Sequence, residues 1–180
     1  MEQGALCSIE HRSRSQVVTM ALRSDWSDQA CPIARSLDIL GDPWALLILR
    51  EVFTGNLRFD GLKQELGISD TVLSRRLTAL VDAGVLARAP YGGSSRPRVE
   101  YLLTEAGSDA LPVLHALASW GRRHTAAPEP GRTLLVECLV CGEQTESADW
   151  CRTCNAPLSR ERTGWRRARD PETLIPLTAA

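Results

Sequence analysis

Lysine and net charge are almost absent from this sequence. Of its 180 residues, 21 are basic and 22 are acidic, and Lys63 is the single lysine. This balance excludes a global basic field, so any electrostatic attraction to nucleic acid has to be local. The bias toward arginine suits phosphate and base recognition because the planar guanidinium donates in pairs, although a GC-rich genome explains the bias equally well.

Long apolar runs are missing as well. No stretch approaches the roughly 18 residues of a membrane-spanning helix, and the N-terminus lacks the charged-then-apolar pattern of a signal peptide. We therefore expect a cytoplasmic protein. In that compartment its six cysteines favour metal binding or reactive thiols over structural disulfides.

The first regular segments are helical. Ile33, Leu37 and Leu40 share one helix face, and Gly41 and Asp42 then end this helix and cap the next. The following segment, WALLILREVFT, is apolar nearly all round, which predicts a buried central helix. Next, FDGLKQEL and DTVLSRRLTALVDAG are joined by a short glycine-containing turn, and this arrangement predicts a helix-turn-helix.

The second helix of this pair has two different faces. Leu73, Leu77 and Leu80 form the apolar face, and the opposite face carries an arginine among short polar side chains. Such a helix can enter the major groove, where arginine pairs with guanine through two hydrogen bonds. On residue types alone, a solvated helix face is the alternative. We predict base contacts from Thr71, Ser74, Arg75 and Thr78, and phosphate contacts from Ser69 and Arg76.

The segment after this helix predicts a wing. VLARAP and VEYLLT are strand-like runs joined by YGGSSRPR, a loop typical of an antiparallel hairpin. Residues 69–101 contain five arginines against three acidic residues, so the local charge is basic. We predict that Arg96 and Arg98 contact phosphates, because a wing beside a reading helix lies over the DNA backbone or minor groove. Solvated loop residues are the alternative.

A long helix capped by Thr104 is predicted over EAGSDALPVLHALASWGRRH. It has two apolar stripes, and one of them contains Val113, Leu117 and Trp120. One helix needs a single stripe to cover a small core, so we expect the other to face a second subunit. Packing of both stripes within one chain is the alternative. A dimer would place two copies of the base-contacting (reading) helix about one helical turn of DNA apart, which suits a palindromic operator.

Residues 31–124 contain a series of stretches that occur in the same order in one known family: CPIARSLDILGDPW, LLILREVF, LRFDGLKQELGIS, VLSRRLTALVDAGVL, the turn at Tyr91, RPRVEYLLTEAG and VLHALASW. The segment resembles the HxlR family of bacterial winged-helix regulators, which are relatives of the MarR type. The resemblance implies an obligate homodimer, formed by the N-terminal helix and the helix after the wing, that binds pseudo-palindromic DNA to control transcription. The sequence departs from the family at GDPW, where many members have a basic residue before the tryptophan.

Cys31 matches the cysteine that precedes proline near the start of many family members. In some of them an equivalent thiol senses oxidants, quinones or aldehydes, which makes Cys31 a candidate redox sensor. Its place near the start of a helix, at the positive end of the dipole, favours a reactive thiolate. The alternative is a small side chain packed at the dimer interface.

The C-terminal region contains two closely spaced cysteine pairs. Cys138 and Cys141 are followed by nine residues and then by Cys151 and Cys154, a double Cys-x2-Cys pattern typical of a zinc site. Four thiolates complete tetrahedral coordination, so the zinc would be structural and would supply the folding energy of a segment too small for its own core. Iron and a reversible zinc-thiolate redox switch are the alternatives.

These patterns predict a mainly α fold, a winged helix-turn-helix with a small β-hairpin wing, followed by a small zinc-ribbon-like module. The chain is expected to begin at Met1 or Met20. The expected segments are a disordered N-terminal arm (1–27), a DNA-binding and dimerisation domain (28–126), the zinc module (132–158) and a flexible tail (159–180).

The predicted function is a homodimeric, sequence-specific regulator of transcription, with a response to oxidants or to a small molecule left open. The alternative is a protein-interaction scaffold that docks through the zinc ribbon and lacks specific DNA binding. Enzymatic activity is not expected, because four cysteine ligands leave no open metal position and no His-x-Glu pattern accompanies them. The histidines form no visible constellation in the sequence.

Overall fold

The computed structural model describes residues 25–92, 98–129 and 131–177. The predicted disordered arm, residues 1–27, lies outside the described residues except for its last three. The two strands of the wing are antiparallel, and in the sequence they follow the fourth helix and precede the fifth. In chain order the elements of this part are α1 (Pro32–Leu40), α2 (Pro43–Phe53), α3 (Phe59–Leu66), α4 (Asp70–Asp82), β1 (Leu86–Tyr91), β2 (Arg98–Leu103), α5 (Glu105–Ser108) and α6 (Leu111–His124).

Local capping signals set where the first helices begin and end. The carboxylate of Asp42 accepts a hydrogen bond from the backbone N–H of Trp44 at 3.0 Å, and this caps α2. Gly67 adopts the left-handed conformation, with φ of 62°, that ends α3. Ser69 then caps α4 by accepting from the N–H of Val72. The helix-turn-helix predicted from the sequence is therefore confirmed.

The hydrophobic core lies between α2, α4 and α6. As predicted, α2 is the central helix, and burial of its large side chains Ile48, Leu49 and Phe53 contributes about 1.5–3 kcal/mol each. The leucine face of α4 packs against it, which leaves the polar face of α4 on the outside of the molecule. The buried side chains at this junction are Ile48, Leu49, Val52, Phe53, Leu73, Leu77, Leu80, Leu111 and Leu114.

The helix predicted after the wing is divided into α5 and α6. Thr104 caps α5 as expected, accepting from the N–H of Gly107 at 3.1 Å. The division precedes Pro112, which lacks an N–H and would clash with the carbonyl of Ser108 in a continuous helix. With 14 residues, α6 is the longest helix among the described residues, and none of these helices could span a membrane.

The C-terminal region forms two small sheets. Its strands are β3 (Leu135–Cys138), β4 (Gln144–Thr145), β5 (Trp150–Cys151), β6 (Ala156–Pro157), β7 (Thr163–Arg167) and β8 (Asp170–Pro176). One sheet has the antiparallel order β4-β3-β7-β8, and β5 pairs with β6 in the other. The predicted flexible tail is therefore wrong over residues 160–176, which form a short 3-10 turn and the β7–β8 hairpin.

The physical reason for this difference is the burial of a few residues in the β7–β8 hairpin. Trp165 is completely buried, and Trp165, Leu177 and Val136 belong to the same core as the helices. Arg166 is held inside the sheet, donating to Glu137 at 3.0 Å and to the carbonyl of Glu172 at 2.6 Å. The C-terminal module therefore extends past residue 158 and packs directly on the winged helix.

Candidate nucleic-acid interface and metal centre

The outer face of α4 carries the side chains predicted to contact bases. Thr71, Ser74, Arg75 and Thr78 are all exposed, on the side of α4 that faces away from its buried leucines. Arg75 forms no hydrogen bond or ion pair with the described residues, so its guanidinium is available to an external partner. The arrangement places one uncommitted arginine among short side chains on an exposed helix.

Thr78 connects α4 to the wing. Its hydroxyl accepts a hydrogen bond from the guanidinium of Arg88 at 3.2 Å. Arg88 lies on β1, opposite Tyr101 of β2. The sequence suggested that Thr78 contacts a base. It gave no sign of the hydrogen bond between Thr78 and Arg88, because these residues lie on different elements. In the protein alone, Thr78 therefore orients a wing arginine beside the reading helix.

Arg76, predicted to contact phosphate, is held by another part of the protein. Its guanidinium forms an ion pair with Asp42 at 2.7 Å, and both side chains are largely buried. Asp42 is also the cap of α2, so this ion pair ties the start of α2 to the middle of α4. Sequence reasoning missed the contact because the two residues are far apart in the chain. The structure gives Arg76 an architectural contact, and its phosphate contact stays a prediction.

The base of the wing is anchored to the turn before α3. Arg58 pairs with Glu100 at 2.9 Å, and its guanidinium stacks over the ring of Tyr91 at 4.2 Å from the centroid. This contact raises the pKa of Arg58, chiefly through the hydrogen bond to Glu100. Arg98 is exposed at the first position of β2. Arg96 lies in residues 93–97, outside the described residues.

The four C-terminal cysteines converge on one point. Their sulfur atoms all lie within 4.8 Å of one another. The two Cys-x2-Cys pairs come from two separate tight turns of the chain, or knuckles. The Sγ atoms of Cys138 and Cys154 are 3.8 Å apart, and those of Cys141 and Cys151 are 3.6 Å apart. A tetrahedron with metal–sulfur bonds of about 2.3 Å has edges of about 3.8 Å, so this geometry suits a tetrahedral metal ion.

The thiols of the cluster differ in how readily they ionise. Burial acts to raise the pKa of Cys138, but hydrogen bonds from the backbone N–H groups of Cys141 and Val140 outweigh it and lower this pKa to about 7. The pKa of Cys154 is raised to about 12, first by its hydrogen bond with Cys141 and then by burial. The protein alone therefore does not ionise all four thiols at neutral pH, whereas a bound cation stabilises thiolates.

A buried histidine links the cysteine module to the helices. Nδ1 of His115, on α6, lies 2.7 Å from the carbonyl of Ala148, and Nε2 accepts from the indole N–H of Trp165 at 2.9 Å. Only neutral imidazole with its proton on Nδ1 satisfies both contacts. Burial lowers the pKa of His115, which agrees with that state. The sequence gave no signal of this network, since its three residues lie in separate elements.

Cys31 is the N-cap residue of α1, and its thiol is exposed. It lies before Pro32, as the sequence pattern required, and its side chain makes no capping hydrogen bond. Cys7, the remaining cysteine, lies outside the described residues. The structure therefore places an accessible thiol at the start of α1 and assigns it no partner among the described residues.

Comparisons with known proteins identify the family. The sequence profile described as HxlR-like helix-turn-helix matches residues 39–129. The uncharacterized HTH-type transcriptional regulator Rv3095 of Mycobacterium tuberculosis is 39% identical over 127 residues, which are 71% of this chain and 79% of that protein. The crystal structure of PA1607, described as a candidate transcription factor, is 34% identical, covers 75% of this chain and 93% of its own, and superposes with a TM-score of 0.62. The redox regulator HypR in its oxidized form is 28% identical, covers 54% of this chain and all of its own, and gives a TM-score of 0.50.

The family match covers about half of the chain and contains the whole helix-turn-helix, the wing and α6. The resemblance found in the sequence is therefore confirmed: this chain belongs to the HxlR-like helix-turn-helix family.

Proposed function

We propose that the protein is a sequence-specific DNA-binding regulator of transcription that acts in the cytoplasm as a homodimer. The observation that carries this proposal is the outer face of α4. It presents Arg75, which has no partner among the described residues, between the short side chains of Ser74 and Thr78, on a helix whose other face is anchored in the core. The names of the relatives support the same role, and the adjacent wing offers Arg98 to the DNA backbone.

The proposed division of labour follows from these positions. Arg75 reads a guanine with two hydrogen bonds, while Thr71, Ser74 and Thr78 contact neighbouring base edges. The N-terminus of α4, capped by Ser69, offers backbone N–H groups to a phosphate. The wing arginines Arg96 and Arg98 bind the backbone, as does Arg76 if DNA displaces it from Asp42.

Replacing Arg75 by alanine is expected to reduce affinity for the cognate operator by about 1–3 kcal/mol and to relax the preference at one base position. Affinity for a scrambled sequence should change little, because the lost contact is to a base. Fluorescence anisotropy with matched cognate and scrambled duplexes measures both.

The control for this prediction is Arg132→Ala, which removes an exposed arginine paired with Glu129, away from α4. Arg98→Ala is expected to weaken binding to every sequence alike and to lower the salt slope by about one. Equal losses of Arg75→Ala on cognate and scrambled DNA would remove Arg75 from base reading. Absent or salt-insensitive DNA binding by the unchanged protein would instead favour the interaction-scaffold alternative.

The dimer is proposed from two apolar surfaces that are exposed in the described part of the chain. On α1, Ile33 is 70% exposed and Leu37 is exposed beside it, and α1 buries no residue. On α6, Val113 and Trp120 are exposed, whereas the other apolar stripe of the helix is buried. Large exposed apolar patches of this kind mark interaction surfaces. A twofold dimer through α1 and α6 would cover both and would give two copies of α4 for a pseudo-palindrome.

Trp120→Glu is expected to shift the protein from dimer to monomer and to reduce operator affinity, since it places a charge in the proposed interface. Sedimentation at micromolar concentration measures the first effect. Gln144→Glu adds the same charge at an exposed position of β4 and should leave the dimer intact. A Trp120→Glu protein that sediments like the unchanged protein would contradict this interface.

The metal proposed for the cysteine cluster is structural zinc. Four cysteine ligands with tetrahedral spacing complete the coordination of Zn²⁺, which leaves no position for substrate. The zinc would hold the two knuckles together and would thereby position the loop that contacts His115. Oxidant sensing by the exposed thiol of Cys31 stays a prediction, with packing at the α1 interface as its alternative.

A further inference from the structure

A large apolar cavity lies between α2, α6 and the β7–β8 hairpin. Its volume is about 610 Å³, within the range of about 300–1,000 Å³ that small-molecule sites occupy. Part of its wall comes from residues beyond the matched family segment, so the cavity depends on the C-terminal module. Its apolar lining includes Leu46, Leu47, Leu114, Leu117, Leu134 and Trp165.

The charged side chains of the lining do not balance. Three guanidinium groups, those of Arg50, Arg167 and Arg169, face two carboxylates, those of Glu51 and Glu65. Glu51 is buried and already paired with Arg50 at 2.9 Å and with Arg167 at 3.0 Å, and Arg169 pairs with Glu65. One positive charge is therefore in excess. The Nε atom of Arg167 is also buried without a hydrogen-bond partner among the described residues.

We propose that this cavity binds a small amphipathic monocarboxylate. Its aliphatic body packs against the leucines, and its carboxylate lies among the guanidinium groups, where an oxygen accepts from Nε of Arg167. One anionic charge matches the single excess positive charge. An uncharged ligand of the same shape leaves the excess charge unmatched and the buried Nε donor of Arg167 without a partner, and an unsatisfied buried donor is costly.

The elements that line the cavity are tied to the DNA-contacting helix and to the proposed dimer surface, so a bound ligand could affect DNA binding. Asp42, at the start of α2, is paired with Arg76 of the reading helix. On the other side, Leu117 of α6 belongs to the stripe proposed for the dimer and also lines the cavity. A bound carboxylate would therefore contact elements tied to both the DNA-reading face and the dimer interface. This regulatory role rests on the proposed function, whereas ligand binding does not.

The test uses octanoate and octanol, which share an aliphatic body and differ in charge. Isothermal titration of the full-length, zinc-supplemented protein without DNA is expected to show octanoate binding about tenfold more tightly than octanol. Ala118→Phe, which fills the cavity from α6, should weaken octanoate binding about tenfold. Ala83→Phe is the matched control, because Ala83 is exposed just after α4, outside the proposed dimer surfaces, and does not line the cavity.

A second variant keeps the proposal testable if Ala118→Phe fails to fold. Arg169→Gln removes the excess charge at a half-exposed position, so the preference for octanoate over octanol should fall to about threefold or less.

The proposal is overturned by equal binding of the two probes, by no octanoate binding at millimolar concentration, or by unchanged binding in a folded Ala118→Phe. If the cavity only receives a second copy of the chain, octanoate would not bind at millimolar concentration. Octanoate binding without DNA binding would retain the site and reject the proposed function.

Discussion

Removal of zinc is expected to unfold the C-terminal module and to lower the melting temperature of the whole chain. Structural zinc contributes an apparent binding free energy of about 10–16 kcal/mol to zinc-finger peptides at neutral pH. Here the consequence should extend to the helices, because Val136, Trp165 and Leu177 of the module lie in their core. Circular dichroism melting of the reduced, zinc-loaded protein, with and without excess chelator, measures the shift, and a colorimetric zinc assay should count one ion per chain.

Two cysteine variants separate the metal site from thiol chemistry elsewhere. Cys141→Ser removes one proposed ligand and should reproduce the effect of the chelator without its addition. Cys31→Ser changes an exposed thiol outside the cluster and should leave zinc content and melting temperature unchanged. A chain that loses its zinc and melts at the same temperature would show that the metal is not structural. Purified protein that contains iron would favour the iron alternative.

The winged helix-turn-helix could be predicted because its signals are local. Asp42 and Ser69 cap the helices that begin directly after them, and Gly67 ends α3 with a left-handed turn. Each of these effects acts within a few residues of its source, and the leucines of α4 repeat with the period of a helix. The cysteine cluster was predictable for the same reason, since each Cys-x2-Cys pair brings two thiols onto one knuckle. The family comparison then confirmed the fold.

The C-terminal sheet and the internal ion pairs could not be predicted because their causes are distant in the chain. Trp165 lies between Gly164 and Arg166, and nothing in this short segment indicates a core residue. Its environment comes from α2 and α6: the ring of Phe53 lies 5.8 Å from that of Trp165, and His115 accepts a hydrogen bond from its indole N–H. The arginines of residues 159–180 suggested a solvated tail, whereas several of them are bound by glutamates of other elements.

Some residues of the candidate DNA interface show the same limit. The helix period correctly placed Arg75 on the exposed face of α4, and this is as much as one helix can indicate. It did not show that Arg76, the next residue, would meet Asp42, or that Thr78 would accept from Arg88 of the wing. These contacts need the arrangement of several elements in space. They restrict which polar residues of α4 are free before DNA arrives.

Trp165→Ala is expected to lower the free energy of unfolding by about 3–5 kcal/mol, the range for removal of a fully buried large aromatic side chain. The loss has two causes: a cavity beside Phe53, and the loss of the hydrogen bond to His115. Trp165→Phe keeps most of the bulk and removes only the N–H donor, so it should cost about 1–3 kcal/mol. Urea denaturation of the zinc-loaded protein, followed by far-UV circular dichroism, measures both changes.

Trp26→Ala provides the matched control, because Trp26 is an exposed tryptophan outside the core and its removal should change stability by about 0.5 kcal/mol or less. The comparison also tests how the chain is divided. If the C-terminal hairpin were a flexible tail, Trp165→Ala would behave like Trp26→Ala, and the helices would unfold at the same urea concentration in both variants. A single cooperative transition that shifts only for the Trp165 variants would mean that the C-terminal module and the winged helix fold as one unit.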